Sequence, residues 1–222
     1  MSRIAAVICD FGGVLTTPLA DAFAAIQEED GLDSGALGGA IRRVAERDGR
    51  NPLFELECGR MTEREFLARL SAQVSDDLGR DVALDTFTER WFGHLRPNEP
   101  MLAFLAELRR RGLRLAMLTN NVREWEPRWR AMLPVDELFE VVVDSASVGL
   151  RKPDPAIYRL TCERLGVSPE ECLFVDDVAA NCTAAAELGM TAVRFRDSAQ
   201  AIAEMRAVLG EPQLSEPSRS QR

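Results

Sequence analysis

The chain has 222 residues, 46% of them apolar, and a formal net charge of −9. That length suits one α/β domain with an insertion, while the acidic balance argues against a nucleic-acid surface and requires any phosphate pocket to be locally positive. No apolar stretch approaches the ~18 residues needed to cross a bilayer, and the N-terminus lacks a signal-peptide cleavage pattern, so a soluble cytoplasmic chain without nucleic-acid or membrane partners is expected.

The first apolar run, Ile4–Cys9, reads as a buried strand and ends at Asp10, followed by Phe11-Gly12-Gly13. Between it and Pro97 lie roughly eighty residues without a convincing strand, far beyond the about 2–6 residues of an ordinary βα connection. Ala20–Glu29, Gly35–Arg47, Thr62–Gln73 and Leu84–Phe92 read there as short amphipathic helices, and Thr62-Glu63-Arg64-Glu65 has capping-box spacing. A helical cap inserted after the first strand is the simplest account.

Beyond Pro97, a helix is predicted over Asn98–Arg111, with apolar residues at Met101, Leu102, Leu105 and Leu108 and a stop at Gly112. Strands follow at Arg114–Leu118 and Val141–Val143; a helix between them carries Trp125 and Trp129, read as packing residues. Asp154-Pro155 opens a further helix that ends near Gly166, and Ser168-Pro169-Glu170-Glu171 allows only one or two helical turns. Strands are then expected at Leu173–Val175 and Ala192–Phe195. The alternation predicts an α/β, Rossmann-like parallel sheet with helices on both faces. The division is a core of residues 1–15 and 96–209, a helical cap at 16–95, and a disordered tail at 210–222, rich in Ser, Pro, Gln and Glu. Cys9, Cys58, Cys162, Cys172 and Cys182 are odd in number, scattered and without a C-x-x-C pair, so reduced thiols are expected.

Four polar stations sit at strand ends or in the loops after them: Asp10, Thr119-Asn120, Lys152 and Asp176-Asp177. In a doubly wound sheet the carboxyl ends of the strands converge on one crevice, so these stations could meet. Any of them alone is an ordinary turn or cap residue. Together they suit phosphoryl transfer to an aspartate: a carboxylate attacks phosphorus, a divalent cation neutralises charge, and Thr119, Asn120, Lys152 and the backbone amides after Asp10 hold the phosphoryl oxygens.

Those stations, with Cys58-Gly59-Arg60-Met61-Thr62, the stretch Gly149 to Tyr158 and the stretch Leu173 to Asn181, resemble the haloacid dehalogenase superfamily over about residues 4 to 196. The likeness is to members with a small helical cap, in particular the N-terminal phosphatase domain of soluble epoxide hydrolases and bacterial sugar-phosphate phosphatases. It implies a HAD-like core, a Mg²⁺ cofactor and a small phosphorylated substrate. Carried over residue by residue, it makes Asp10 the nucleophile and Lys152 the catalytic cation, with Phe11, Gly12, Thr119, Asn120 and Lys152 binding phosphate. Asp10, the Gly12 carbonyl and Asp177 become metal ligands, and Asp176 and Asn181 support them from behind.

One position departs from the pattern. Phosphatases of this type carry Asp-x-Asp, the second aspartate serving as acid and base; here that place is Gly12, a loss worth about 10²–10⁴-fold in rate. Three readings follow: a phosphatase for good leaving groups, a metal-independent dehalogenase-like hydrolase, or a catalytically weak domain binding a phosphorylated ligand or a protein. His94, the only histidine, is read as a surface or hinge residue. Arg109-Arg110-Arg111 is read as a solvated helix end, and Arg123 and Arg151 as surface residues or holders of a second anionic group.

Overall fold

The computed structural model describes residues 3–210, so the tail expected at 210–222 lies outside the described residues but for Gly210. Five strands form one sheet: β1 (Ala6–Cys9), β2 (Arg114–Thr119), β3 (Val141–Asp144), β4 (Cys172–Asp176) and β5 (Thr191–Arg194). Their order is β3-β2-β1-β4-β5 and every neighbouring pair is parallel, so the fold is the α/β, Rossmann-like one expected.

The central strands are buried on both faces, which is why they read as unbroken apolar runs. Side chains alternate between two cores. Val7, Cys9, Leu115, Met117, Leu173 and Val175 pack on one face; Ala6, Ile8, Ala116, Leu118, Cys172 and Phe174 pack on the other. The periodicity of two therefore sends Asp10 and Asp176, each two residues beyond an inward residue of the second set, towards the same side of the sheet.

The insertion holds α1 (Leu19–Glu29), α2 (Ala36–Asp48), α3 (Pro52–Glu57), α4 (Glu63–Leu78) and α5 (Phe87–His94). They bury a cluster including Ile26, Leu37, Ala40, Leu56, Leu70, Leu84 and Trp91, joined from the core by Val122. Thr62 caps α4 as the sequence pattern requires, accepting a hydrogen bond from the Glu65 N–H. The sequence reading missed α3, whose six residues are too few for a helical period, although Asn51 caps it and Pro52 opens it. The chain leaves and re-enters the core at one place: Thr16 bridges Pro97, the Thr17 N–H donates to the Arg96 carbonyl, and the Asn98 N–H donates to the Leu15 carbonyl.

The remaining helices flank the sheet: α6 (Glu99–Arg110), α7 (Glu126–Met132), α8 (Val135–Leu138), α9 (Ser145–Val148), α10 (Pro155–Leu165), α11 (Ala179–Glu187) and α12 (Ser198–Val208). Trp129 is fully buried on α7 as a packing residue, but Trp125 sits in a short 3-10 turn before it. All five cysteines are buried and free. Among the described residues no helix is long and apolar enough to cross a membrane.

Asp144, the last residue of β3, caps α9 by accepting from the Ala146 N–H through Oδ1, while its buried Oδ2 finds no partner. Burial pushes its carboxyl up to about 6; the Ala146 hydrogen bond opposes that rise and Glu126 adds to it. A carboxyl whose folded pKa is raised stabilises the fold below its unfolded value near 4 and loses that contribution as pH climbs through about 6. Asp144→Asn keeps the capping oxygen without the charge, so in urea titrations its unfolding free energy relative to wild type should rise by roughly 1–3 kcal/mol between pH 4.5 and pH 8. Parallel pH profiles for the two proteins would rule this out.

Candidate active site

Four separate loops meet at the carboxyl ends of β1, β2 and β4. The register pairs Cys9 with Val175, and the Asp10 N–H continues the ladder to the Val175 carbonyl, which sets Asp10 beside Asp176 across the strand ends. Lys152 enters from the loop between α9 and α10. Its ammonium lies 2.7 Å from Asp10 Oδ1 and 2.7 Å from Asp176 Oδ2, and the side chain is 1% exposed.

Lysine reaches this place because its backbone is clamped. The Asn120 amide donates to the Lys152 carbonyl at 3.0 Å, and its Oδ1 accepts from the Lys152 N–H at 2.8 Å. Asn120, expected to bind phosphate, thus spends its side chain on holding the cation loop. The Phe11 N–H is likewise engaged, donating to Asp10 Oδ1 at 2.7 Å, and the Phe11 ring packs towards Trp129. Thr119 is buried at the end of β2 and accepts from the Asn121 amide at 3.4 Å; its own hydroxyl has only a long contact to the Asn120 carbonyl.

The two acids after β4 have different surroundings. Asp176 is fully buried and saturated: Lys152 donates to Oδ2, the Val178 N–H donates to Oδ1, and the Asn181 amide lies 3.0 Å from both oxygens. Asp177 is half-buried beside Gly13. That glycine has φ +78°, and a Cβ there would come within 2.7 Å of Asp177 Oδ2, so both its backbone and its missing side chain are needed for the acid to sit where it does. The sequence reading gave Gly13 no role, since its significance depends on a partner 164 positions away.

Charge in this cluster is unbalanced. Asp10, Asp176 and Asp177 each offer a carboxylate oxygen, all within 4.8 Å of one another, against the single ammonium of Lys152. Burial pushes the Asp10 carboxyl upward, Lys152 pulls against it and Asp176 adds to the rise; burial and Asp176 also raise Asp177. Burial opposes the charge on Lys152, but Asp10 and Asp176 outweigh it and hold the amine protonated. Three hard oxygen donors with excess negative charge and no imidazole or thiolate in the group fit a hard divalent cation.

A pocket of about 140 Å³ opens beside this cluster, with Phe11, Gly12, Thr119 and Asn120 at one end and helices of the insertion around the rest. Trp125 is on its wall, so this residue is more than the packing element expected. Gly12 faces α1: a Cβ there would meet Leu19 Cδ1 at 2.6 Å, so Leu19 fills the space where a second aspartate would stand. His94 is elsewhere, 3.0 Å from Glu29 at the end of α5. Arg123 donates to the Ala146 carbonyl, and Arg151 pairs with Glu57 at 2.6 Å while stacking on Phe54, linking the cation loop to α3.

A parallel α/β sheet with an acid-rich site at its strand ends and helices inserted over that site defines a capped α/β hydrolase. The chain belongs to the haloacid dehalogenase-like hydrolase family, whose model matches residues 4–189. It is 29% identical to the mouse acyl-CoA dehydrogenase family member 10 over 93% of this chain and 19% of that protein, and 27% identical to pig bifunctional epoxide hydrolase 2 over 96% of this chain and 40% of that protein. The chain therefore spans two-fifths or less of those relatives. It matches nearly the whole of the sesquiterpene phosphatase astK of Aspergillus oryzae, at 29% identity over 92% of this chain and 96% of that one. Among solved structures, a HAD-like hydrolase from Porphyromonas gingivalis superposes with a TM-score of 0.67 at 22% identity, covering 95% of this chain and 100% of that chain. The L-2-haloacid dehalogenase of Xanthobacter autotrophicus superposes with a TM-score of 0.62 at 21% identity, covering 97% and 92%. At these identities the likeness establishes the fold.

Removing one partner from a buried ion pair leaves an uncompensated charge, at a cost of about 3–5 kcal/mol. Lys152→Met should lower the unfolding free energy by about that amount at pH 8, and by less at pH 5, where Asp10 and Asp177 protonate more readily. Equal losses at both pH values in urea titrations would contradict the charge balance described.

Proposed function

We propose that this hydrolase is a Mg²⁺-dependent phosphatase that cleaves a small phosphorylated metabolite through an aspartyl-phosphate at Asp10. The observation that carries this reading is the grouping of Asp10, Asp176 and Asp177 around Lys152, next in the chain to Phe11, Gly12, Thr119 and Asn120, which line one pocket. Relatives named as phosphatases support it, including the sesquiterpene phosphatase and a Thermus thermophilus phosphoserine phosphatase 38% identical over 54% of this chain. So does the fold neighbour from Bacteroides thetaiotaomicron whose structure contains magnesium and inorganic phosphate, with a TM-score of 0.59 at 22% identity.

Asp10, the Gly12 carbonyl and Asp177 are the groups that would hold Mg²⁺, with Asp176 and Asn181 fixing the loop behind them. When bound, the ion neutralises the surplus carboxylate charge and that of the incoming phosphoryl group. Lys152 is the fixed cation on the protein side, and the Thr119 hydroxyl is the donor with hydrogen-bonding capacity to spare. Asp10 attacks phosphorus, the ester oxygen departs with the bonding pair, and water then hydrolyses the acyl phosphate to restore the carboxylate.

Because Gly12 supplies no proton, the departing oxygen takes one from solvent or keeps its charge. That favours leaving groups of low basicity, such as aryl and acyl phosphates. The same feature favours the second reading, a dehalogenase, since halide leaves unprotonated; against it stands the acidic pair Asp176-Asp177, which calls for a cation.

Phosphate release from aryl and acyl phosphates should require Mg²⁺ and fall by at least about 10³-fold in Asp10→Asn. Full Mg²⁺-dependent activity in that variant would remove the nucleophile. Chloride release from 2-chloropropionate without metal would select the dehalogenase, and release of neither product would select a binding role. A second test addresses the missing acid. Gly12→Asp combined with Leu19→Ala, which clears the space at 2.6 Å, should raise turnover of alkyl phosphates by about tenfold or more and that of aryl phosphates by much less. An equal gain on both classes would show that leaving-group protonation is not what Gly12 limits.

A further inference from the structure

The pocket beside Asp10 has a polar end and an apolar remainder. We infer that the alcohol portion of the substrate is an apolar, aromatic-sized group that enters this pocket, and that the site selects against sugar and other polyhydroxylated phosphates. This inference rests on the phosphatase reading and deepens it by naming the substrate class.

The pocket adjoins the reactive carboxylate along the chain: Phe11 and Gly12, directly after Asp10, line it together with Thr119 and Asn120. Its outer walls come from the insertion and the loop after β2: Phe23, Ile41, Leu53, Trp91, Phe92 and Trp125. These rings pack against one another, with Phe23 and Trp91 edge to face at 4.7 Å and Trp91 and Trp125 at 5.8 Å. Such a wall offers dispersion contact and a place to shed water, at roughly a fourfold gain in binding for each methylene buried.

The polar groups on the wall are already committed. Asn120 is bonded at both ends of its amide to the Lys152 backbone. Asn121 donates to Thr119 and accepts from the Val122 N–H. The Trp125 indole N–H is turned to Glu63 and Thr88, leaving its ring for the pocket. Glu57, the one ionisable side chain on the wall, is tied to Arg151 at 2.6 Å. A sugar ring placed here would lose the water around its hydroxyls and find few partners in exchange, whereas an apolar group gives up nothing. What capacity is left, on the Thr119 hydroxyl, the second N–H of each asparagine amide and Glu57 Oε1, is small beside the apolar wall.

The decisive experiment separates this inference from the chemistry. Phenyl, 4-ethylphenyl and 4-butylphenyl phosphate have nearly the same leaving group and differ in apolar length, so kcat/KM with Mg²⁺ should rise about fourfold per methylene. In parallel, octylphosphonate, which cannot be hydrolysed, should quench the fluorescence of the pocket tryptophans and bind at least about tenfold more tightly than butylphosphonate. Ile41→Asn and Leu53→Asn, two half-buried wall residues on different helices, should each flatten both dependences. Hydrolysis that ignores or falls with chain length, or is faster with glucose 6-phosphate than with phenyl phosphate, overturns the inference and leaves the phosphatase reading standing. Tight octylphosphonate binding without phosphate release from any ester upholds the ligand class and overturns the phosphatase reading. Neither binding nor release overturns both.

Discussion

The site depends on one ammonium placed between two buried carboxylates. Lys152 lies 2.7 Å from both Asp10 and Asp176, inside a protein whose net charge is strongly negative. Without it, the loops ending β1 and β4 would bring like charges together in a medium that screens them poorly. The rest of the local structure can be read as support for that placement: Asn120 grips the lysine backbone, Asn181 and the Val178 N–H satisfy Asp176, and the loop beyond Lys152 runs straight into α10, which Asp154 caps. One cation does not balance three acids, and that residue of charge is what makes the place suited to a divalent ion.

Much of the scaffold was legible in the sequence because it follows from burial. The central strands, covered on both faces, are nearly apolar throughout, and the shorter, partly exposed edge strands still appeared as β-rich runs; the long interval after β1 showed no strand pattern and held helices. The order of polar residues at strand ends then pointed to one crevice. Legibility stopped where a residue's meaning depends on a neighbour remote in sequence. Asn120 reads as a phosphate donor until the Lys152 backbone is seen in its grasp, and Gly13 reads as a turn until Asp177 is seen against it. Trp125 and Trp129, four apart, read as one packing face; a short 3-10 turn separates their directions, and only Trp129 is wholly enclosed. The short helix Pro52–Glu57 escaped because six residues give no period, yet it carries Glu57 to the pocket wall.

Gly12 joins these two levels. In the sequence it is an absence, a missing carboxylate in an otherwise complete set of stations. In the structure it is a contact, since Leu19 from the first helix of the insertion presses to within 2.6 Å of where a Cβ would be. The lack of an acid here and the apolar contact that fills its place thus go together. Any account of what the site prefers has to include both.

The junction between insertion and core has an architectural consequence. Thr16 faces Pro97 across a single bridge, with the flanking residues hydrogen-bonded to each other, so the departing and returning segments run side by side. Everything between them is threaded through one doorway. Replacing that interval would leave each strand in its ladder, much as a tool head is exchanged on an unchanged handle, and would be felt in the polar loops only where Leu19 meets Gly12 and Glu57 meets Arg151.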